Sequence, residues 1–528
     1  MDHEKAIVAN SKGDHVARVS EVDKVDLHKL DVDEEGHEIV HLKRRFSLMS
    51  CLGIAFAILN SWTAMASSLQ VVLPSGGSIS MVYGIMVSSV GAFLMVISLS
   101  EICAAYPLTG GQYDWAYVLA PEGLAAPLSF FAGWMSSAGW IALIACNSSI
   151  CANLVIGMVS LAHPDFSAAN WQTFLLYIAW TAVAFCLNMF AVKILPALEK
   201  AAFYWSIAGF FVVIVACLAC SHGNYMPAKS VFAQWTNETG WPDGMAFILG
   251  LLQSVFGLTA FDAATHMIEE IPAPGKNAPK VMITAVLLGS STSWIFTVVL
   301  LFCLKDLDTV ISAATGPLLQ IYYQATNNVA GATCLVFINL VAMFAACQGV
   351  MTVASRIVFV FARDRGLGPL SKWLGVVHPV LLVPSWAIIF STVWVVIFGL
   401  IYLGSSVALN AIISGSVVML QISYGIPIAL SFFRGHKVLD NNPDVQLTWS
   451  LGKLRPFVTG SALIFIIVTS VCFLFPPALP VSGSSMNYVS VVVAIVFIMC
   501  AATWFTDGRK NYHGPSELRE RLALARSV

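Results

Sequence analysis

Charge is what this sequence has least of. Only 11% of its 528 residues are Asp, Glu, Lys or Arg, while 58% are apolar. A soluble chain of this length cannot cover its surface with so few ionised groups. The composition therefore excludes a water-soluble enzyme or a nucleic-acid-binding protein, and it reads as an all-α polytopic membrane protein embedded in a lipid bilayer. The sequence has no Gly-x-x-x-x-Gly-Lys-Ser/Thr phosphate loop and no soluble domain to hold one, which argues against ATP-driven transport. It has no His-Glu-x-x-His either, and His163, His222 and His378 stand scattered in loops. All twelve cysteines fall in or beside apolar runs; Cys217 and Cys220 have Cys-x-x-Cys spacing but lack a second pair. No metal or other cofactor is expected. Residues 1–41 lack the apolar core of a cleaved signal peptide and carry 11 acidic residues against 5 Lys and Arg. They read as a disordered, acidic cytoplasmic tail.

What the sequence does have is a series of long apolar runs. Twelve spans are predicted, at 48–73, 79–104, 127–160, 171–192, 199–220, 244–270, 281–304, 329–362, 384–403, 408–433, 456–476 and 487–507. They divide the chain into spans 1–5 (42–220), an external loop (221–243), spans 6–10 (244–433), spans 11–12 (434–507) and a second cytoplasmic tail (508–528). With the N-terminus in the cytoplasm, every Lys and Arg except Lys229 and Lys305 lies on or at the edge of the cytoplasmic side. That asymmetry sets the orientation, and twelve spans put both termini inside. The same orientation places the glycan-acceptor triplet Asn237-Glu238-Thr239 outside.

Two spans contain residues that a bilayer does not tolerate without a reason. Asp262 lies within the sixth, where an ionised side chain costs about 2.5–3.5 kcal/mol or more, so it is a candidate functional residue. Its alternative role is the N-cap of a short second helix starting at Ala263. His266, one turn on, reads either as a proton relay or as a solvated histidine beside a capped half-helix. In the first span, Asn60-Ser61-Trp62-Thr63-Ala64 begins a polar, small-residue patch. Such a patch suits a helix packing face, but its density points around the whole helix and favours an unwound segment. Glu101 ends the second apolar run, where it can snorkel or pair with an Arg.

Three separated motifs then resemble one family. They are Glu101-x-x-x-x-Tyr106-Pro107-x-x-Gly110-Gly111, the helix-6 stretch Ala260-Phe261-Asp262 followed by Glu269-Glu270 and Pro279, and Ser355-Arg356 followed by Phe361-Ala362-Arg363-Asp364-Arg365-Gly366. Together they are similar to the amino acid, polyamine and organocation permeases. Asn60-Ser61-Trp62, Ala263-Ala264-Thr265-His266-Met267 and Phe475-Pro476-Pro477 resemble the fungal branch that includes choline and gamma-aminobutyrate permeases. The resemblance implies a leucine-transporter-like fold, a 5+5 inverted repeat plus two helices, in which spans 1 and 6 are equivalent and broken at the substrate site. It carries over Asn60, Ser61, Trp62, Thr63 and Ala64 from span 1, and Leu258, Thr259, Ala260, Phe261 and Asp262 from span 6. Trp140, Cys146 and Asn147 in span 3 and Gln348 in span 8 are further candidates. Trp62 or Phe261 can offer a ring face to a cation, or can simply pack. The family usually has Gly where this chain has Ala260, a change that narrows the pocket or softens the break.

The implied function is import of a small amine or amino acid, with choline and gamma-aminobutyrate both open, across the plasma membrane. The family implies proton symport, with sodium as the alternative. Ser206 and Asp262 are the coupling-ion candidates, Ser206 because it matches the position of a coupling Lys in some relatives. A non-transporting nutrient receptor of the same fold is the second reading. An intramembrane enzyme is not expected, because the spans contain no paired nucleophile and base.

Overall fold

A computed structural model describes residues 48–400, 403, 408–440, 449–482, 486–516, 518 and 520–522, without the side chains of 48–50, 54, 269–270, 408–410 and 436. The acidic tail and the last six residues of the chain lie outside the described residues, as do the side chains of Glu269 and Glu270. Among the described residues the chain is helical, with one isolated β-bridge between Ser75 and Asn237.

The helices that matter here are α1 (Leu48–Leu59), α2 (Ser61–Ser67), α3 (Gly77–Ala105), α4 (Gln112–Leu119), α5 (Glu122–Ala162), α6 (Asn170–Phe190), α7 (Leu195–Cys220), α8 (Asp243–Gly257), α9 (Pro274–Cys303), α10 (Val329–Arg363), α11 (Ser385–Gly399), α12 (Ala408–Gly435), α13 (Arg455–Cys472) and α14 (Val489–Thr503). A 3₁₀ helix, Phe261–Glu270, follows α8. Ten of the described helices are long and apolar enough to cross a membrane, and the shorter apolar stretches Cys51–Ser67 and Ser385–Gly399 fall where the first and ninth spans are predicted. The short helices Leu307–Ile311 and Pro317–Thr326, between α9 and α10, were not among the predicted elements.

The break in the first span is real. Asn60 takes the left-handed conformation (φ 39°, ψ 38°) between α1 and α2. Asn is among the few L-residues that visit this region readily. The sixth predicted span is broken as well. It ends as an α-helix at Gly257, and Ala260 (φ 76°, ψ 20°) turns the chain into the 3₁₀ helix. The change from Gly to Ala has not removed the break; the Ala sits in a conformation that a Cβ disfavours.

The two broken segments are neighbours. The Gln253 side chain donates to the Met65 carbonyl at 2.6 Å. A Cβ on Gly257 would lie 2.6 Å from the Met65 side chain and 3.3 Å from the Ser61 carbonyl, so only glycine allows this approach. Around them α5, α10 and α12 form one packed group, and α3, α8, α9 and α13 another.

Candidate functional site

The site is built from the two breaks outward. The first residues of α2 and of the 3₁₀ helix have no preceding helical turn to accept their N–H groups, and the last carbonyls of α1 and α8 have no following turn. Each break thus presents a partially positive and a partially negative end side by side. All ten carried-over residues are buried, from Trp62, Ser61, Thr63, Phe261 and Asp262 at 0% to Thr259 at 5% exposure, so the breaks are closed off in this conformation.

Asp262 is the centre of the polar contacts. Its Oδ2 accepts from the Gln112 amide at 2.5 Å and lies 3.0 Å from His266 Nε2, while its Oδ1 accepts from the Tyr424 hydroxyl at 2.5 Å. Three elements, α4, α12 and the 3₁₀ helix, are thereby tied to one carboxylate. The N-cap reading is not what the structure shows. The cap position is Ala260, and the Asp262 carboxylate is engaged by side chains. His266 is not solvated either: it is 1% exposed, with Nδ1 3.2 Å from the Thr109 carbonyl. That tight fit depends on Gly111 (φ 57°), where a Cβ would lie 2.9 Å from both His266 and Thr265. The Gly110-Gly111-Gln112 motif is therefore the means by which α4 delivers an amide to Asp262.

The remaining candidates separate into those at this cluster and those in packing. Phe261 packs at a tilt against Tyr424 with ring centroids 5.0 Å apart, and Trp140 meets His266 edge-on at 5.8 Å with its indole N–H unpartnered among the described residues. Trp62 does not present a free ring face. It is wedged between Phe296 at 4.9 Å and Phe210 at 5.9 Å, and its N–H donates to Ser206 Oγ at 2.9 Å. Ser206 is thus an indole acceptor. Ser61 lies against α9, where a Cβ on Gly289 would be 2.3 Å from its Oγ. Asn339 reaches Thr63 Oγ1 at 3.5 Å, and Asn60 donates to the Met343 sulfur at 3.2 Å.

Several polar atoms near the breaks have no partner among the described residues: Asn60 Oδ1, Ser61 Oγ and Gln348 Oε1. Gln348 donates to Thr352, which in turn donates to Asn188 Oδ1 at 2.6 Å. Asn147 is buried, Cys146 lies 3.5 Å from Ser416 Oγ, Ala64 offers its carbonyl to Ser68, and Thr259 Oγ1 donates to Val255. A cavity of 350 Å³ between α5, α11 and α14 is lined by apolar side chains such as Trp134, Trp394 and Val496, and none of the break residues lines it.

Sequence reasoning passed over Gln112 and Tyr424 as partners of Asp262. Gln112 directly follows the Gly110-Gly111 pair of the first motif, but its partner is 150 positions away, and no local pattern marks Tyr424. Glu101 does pair with an Arg: Arg455 Nε lies 2.7 Å from its Oε2. The Asn237 amide donates both to the Trp241 carbonyl and to Asp243, so a glycan attached there would displace one of these bonds.

The model of the amino acid permease family matches residues 46–498. The chain belongs to the amino acid permease family. Within it the permease falls in the fungal amino acid/choline branch of the amino acid, polyamine and organocation superfamily. It is 35% identical to a choline transporter of Saccharomyces cerevisiae, over 93% of this chain and 87% of that one. A transmembrane transporter of Metarhizium robertsii is 30% identical over 92% of this chain and 96% of its own. The 7-keto 8-aminopelargonic acid transporter of S. cerevisiae is 29% identical over 91% of this chain and 95% of its own. The permease is a multi-pass membrane transporter of amino acids or organocations, and not an enzyme.

Proposed function

We propose that the permease imports a small nitrogenous solute, an amino acid, gamma-aminobutyrate or choline, across the plasma membrane by alternating access coupled to protons. The observation that carries this reading is the pair of helix breaks lying side by side, at Asn60 and at Leu258–Ala260. On this reading α1 with α2, and α8 with the 3₁₀ helix, are equivalent members of two inverted five-span repeats, α13 and α14 complete twelve spans, and both termini are cytoplasmic. A carboxylate would meet the N–H ends of α2 and the 3₁₀ helix, and an ammonium group the carbonyl ends of α1 and α8.

Asn60, Ser61, Thr63, Ala64, Leu258, Thr259 and Ala260 line this site, with Phe261 closing it. Trp140, Asn147 and Gln348 reach it from α5 and α10. Asp262, with Gln112, Tyr424 and His266, is the latch that holds the 3₁₀ helix to α4 and α12 when the site is closed. Trp62 acts as a packing pivot and Ser206 as its acceptor, which leaves the substrate cation to carbonyls and to Phe261.

Uptake of labelled choline, gamma-aminobutyrate and a neutral amino acid by transporter-deficient yeast, at about pH 5 and about pH 7.5, tests the proposal. Saturable uptake of one solute, faster at the lower pH, is expected. Protein at the surface with no uptake of any of the three would count against it.

A further inference from the structure

Two carboxylates are buried within the apolar spans close to the breaks, and their surroundings are opposite. Asp262 has three side-chain groups directed at it. Glu199, on α7, is 3% exposed; it makes no hydrogen bond or ion pair with the described residues, and its Oε2 is wholly enclosed. It lies where three helices meet. A Cβ on Gly349 of α10 would be 3.1 Å from Glu199 Oε1 and 2.8 Å from Ile58 of α1, and a Cβ on Gly53 of α1 would be 3.9 Å from the Glu199 carbonyl. The glycine at 349 leaves the space that the carboxyl group occupies. Ile58 is two residues before the Asn60 break, so Glu199 and the last turn of α1 flank the same gap at Gly349.

The titratable and charged groups on the surrounding helices do not compensate it. On α1 there is Cys51; on α10 there are Cys334, Cys347, Arg356 and Arg363; on α9 there are Lys276, Lys280 and Cys303; on the helix Pro317–Thr326 there are Tyr322 and Tyr323. On α7 itself Lys200 is exposed, and Tyr204, Cys217 and Cys220 are further along. Arg356 donates to the Thr352 carbonyl, and Tyr322 donates to Asn339. An ionised carboxylate buried between helices without a counter-charge is strongly disfavoured, whereas the uncharged acid is accommodated. A metal cation is also a poor fit, since such ions collect about six oxygen ligands and Glu199 has no other carboxylate among its hydrogen-bond or ion-pair partners in the described residues.

We propose that Glu199 carries the co-transported proton. This rests on the symport reading above and assigns its proton. The carboxylate gains one proton in the outward-open state, from water that reaches it past the breaks, and keeps it, as the neutral acid, in the closed packing of α1, α7 and α10. It gives the proton up when α1 parts from the other two helices and water reaches it from the inner end. No other bond changes. An ionised Glu199 opposes closure, so an unprotonated transporter does not complete the cycle. Asp262, already held by three partners, remains a latch.

Two measurements on the full-length protein test this. The first is the pH-difference infrared spectrum of purified protein, wild type against Glu199→Gln. The carboxylic-acid C=O band assignable to one buried group is expected in the wild type and absent in the variant; superimposable spectra would overturn the assignment. The second is transport in proteoliposomes with choline, gamma-aminobutyrate and a neutral amino acid. For the solute the wild type carries, Glu199→Gln is expected to lose about 10-fold or more of its pH-gradient-driven accumulation. Counterflow exchange should stay within about 2-fold, because Gln resembles the neutral acid. Retained exchange also shows that the variant is folded. A pH-coupled wild type with an equally pH-coupled Glu199→Gln would sink the role of Glu199 alone, as would equal loss of accumulation and exchange. A wild type that transports without any response to the pH gradient would sink the symport reading and this assignment with it.

Discussion

At Asp262 the burden of burying a charge is met by geometry. Each oxygen has a donor, and Asp262 lies between an imidazole, an amide and a phenol. Asp262→Asn removes the charge and aims an NH₂ group at one of those donors. Thermal unfolding in detergent should then report a loss of roughly 3 kcal/mol, with uptake falling alongside. Ala260 is the opposite case, a residue that the fold holds against its preference. Its φ of 76° costs about 1 kcal/mol for an L-residue. Ala260→Gly should therefore raise the thermal midpoint, and a lowered midpoint would show that the methyl group contributes more by packing than the conformation costs. Both breaks were legible because a bilayer punishes polar residues and the sequence places Asn60 and Asp262 inside spans. Glu199 was not. It stands at the edge of a predicted span next to Lys200, where a charge normally meets headgroups, and only the meeting of α1, α7 and α10 encloses it.

Among the elements, the C-terminal segment illustrates what a linear reading misses. It reads as a cytoplasmic tail at 508–528, yet Tyr512, Ser516 and Arg521 bond back to the end of the bundle. Arg521 lies 2.6 Å from Asp364, which also accepts from Ser516 and Tyr113, and Tyr512 lies 2.6 Å from Ser129. The partners are 157 positions apart, so no local pattern could have paired them. Burial works to raise the pKa of Asp364, but the Arg521 guanidinium and its hydrogen bonds hold that carboxyl below the usual carboxylate range. Asp114 on α4 goes the other way, as burial pushes it from 3.8 to about 7 against the opposing pull of Arg521. Arg521→Ala should free the segment, seen as faster proteolysis after about residue 511, and should cost roughly 3 kcal/mol by leaving Asp364 without its counter-charge. The two carboxyls differ in sign of response. A raised folded-state pKa means that the Asp114 contribution is fully present below about pH 3.8 and is lost as pH rises through about 7. Thermal scans across that window should show the loss in wild type and not in Asp114→Asn.

For the whole molecule, the side-by-side packing of the two breaks gives them their meaning. A helix interrupted once is a local defect; two interrupted helices packed together, with a glycine at 257 letting one backbone approach the other, form a place where oriented N–H and C=O groups can meet a charged solute. In the proposed cycle the sealed state of those residues is one step. The most direct test is protection of Thr259→Cys, in a chain whose native cysteines are replaced, from a small membrane-permeant thiol reagent during turnover. Slower labelling in the presence of the transported solute, and of no other solute in the panel, is the predicted result. Labelling that proceeds at the same rate with and without saturating solute would contradict the placement of the substrate site at the two breaks.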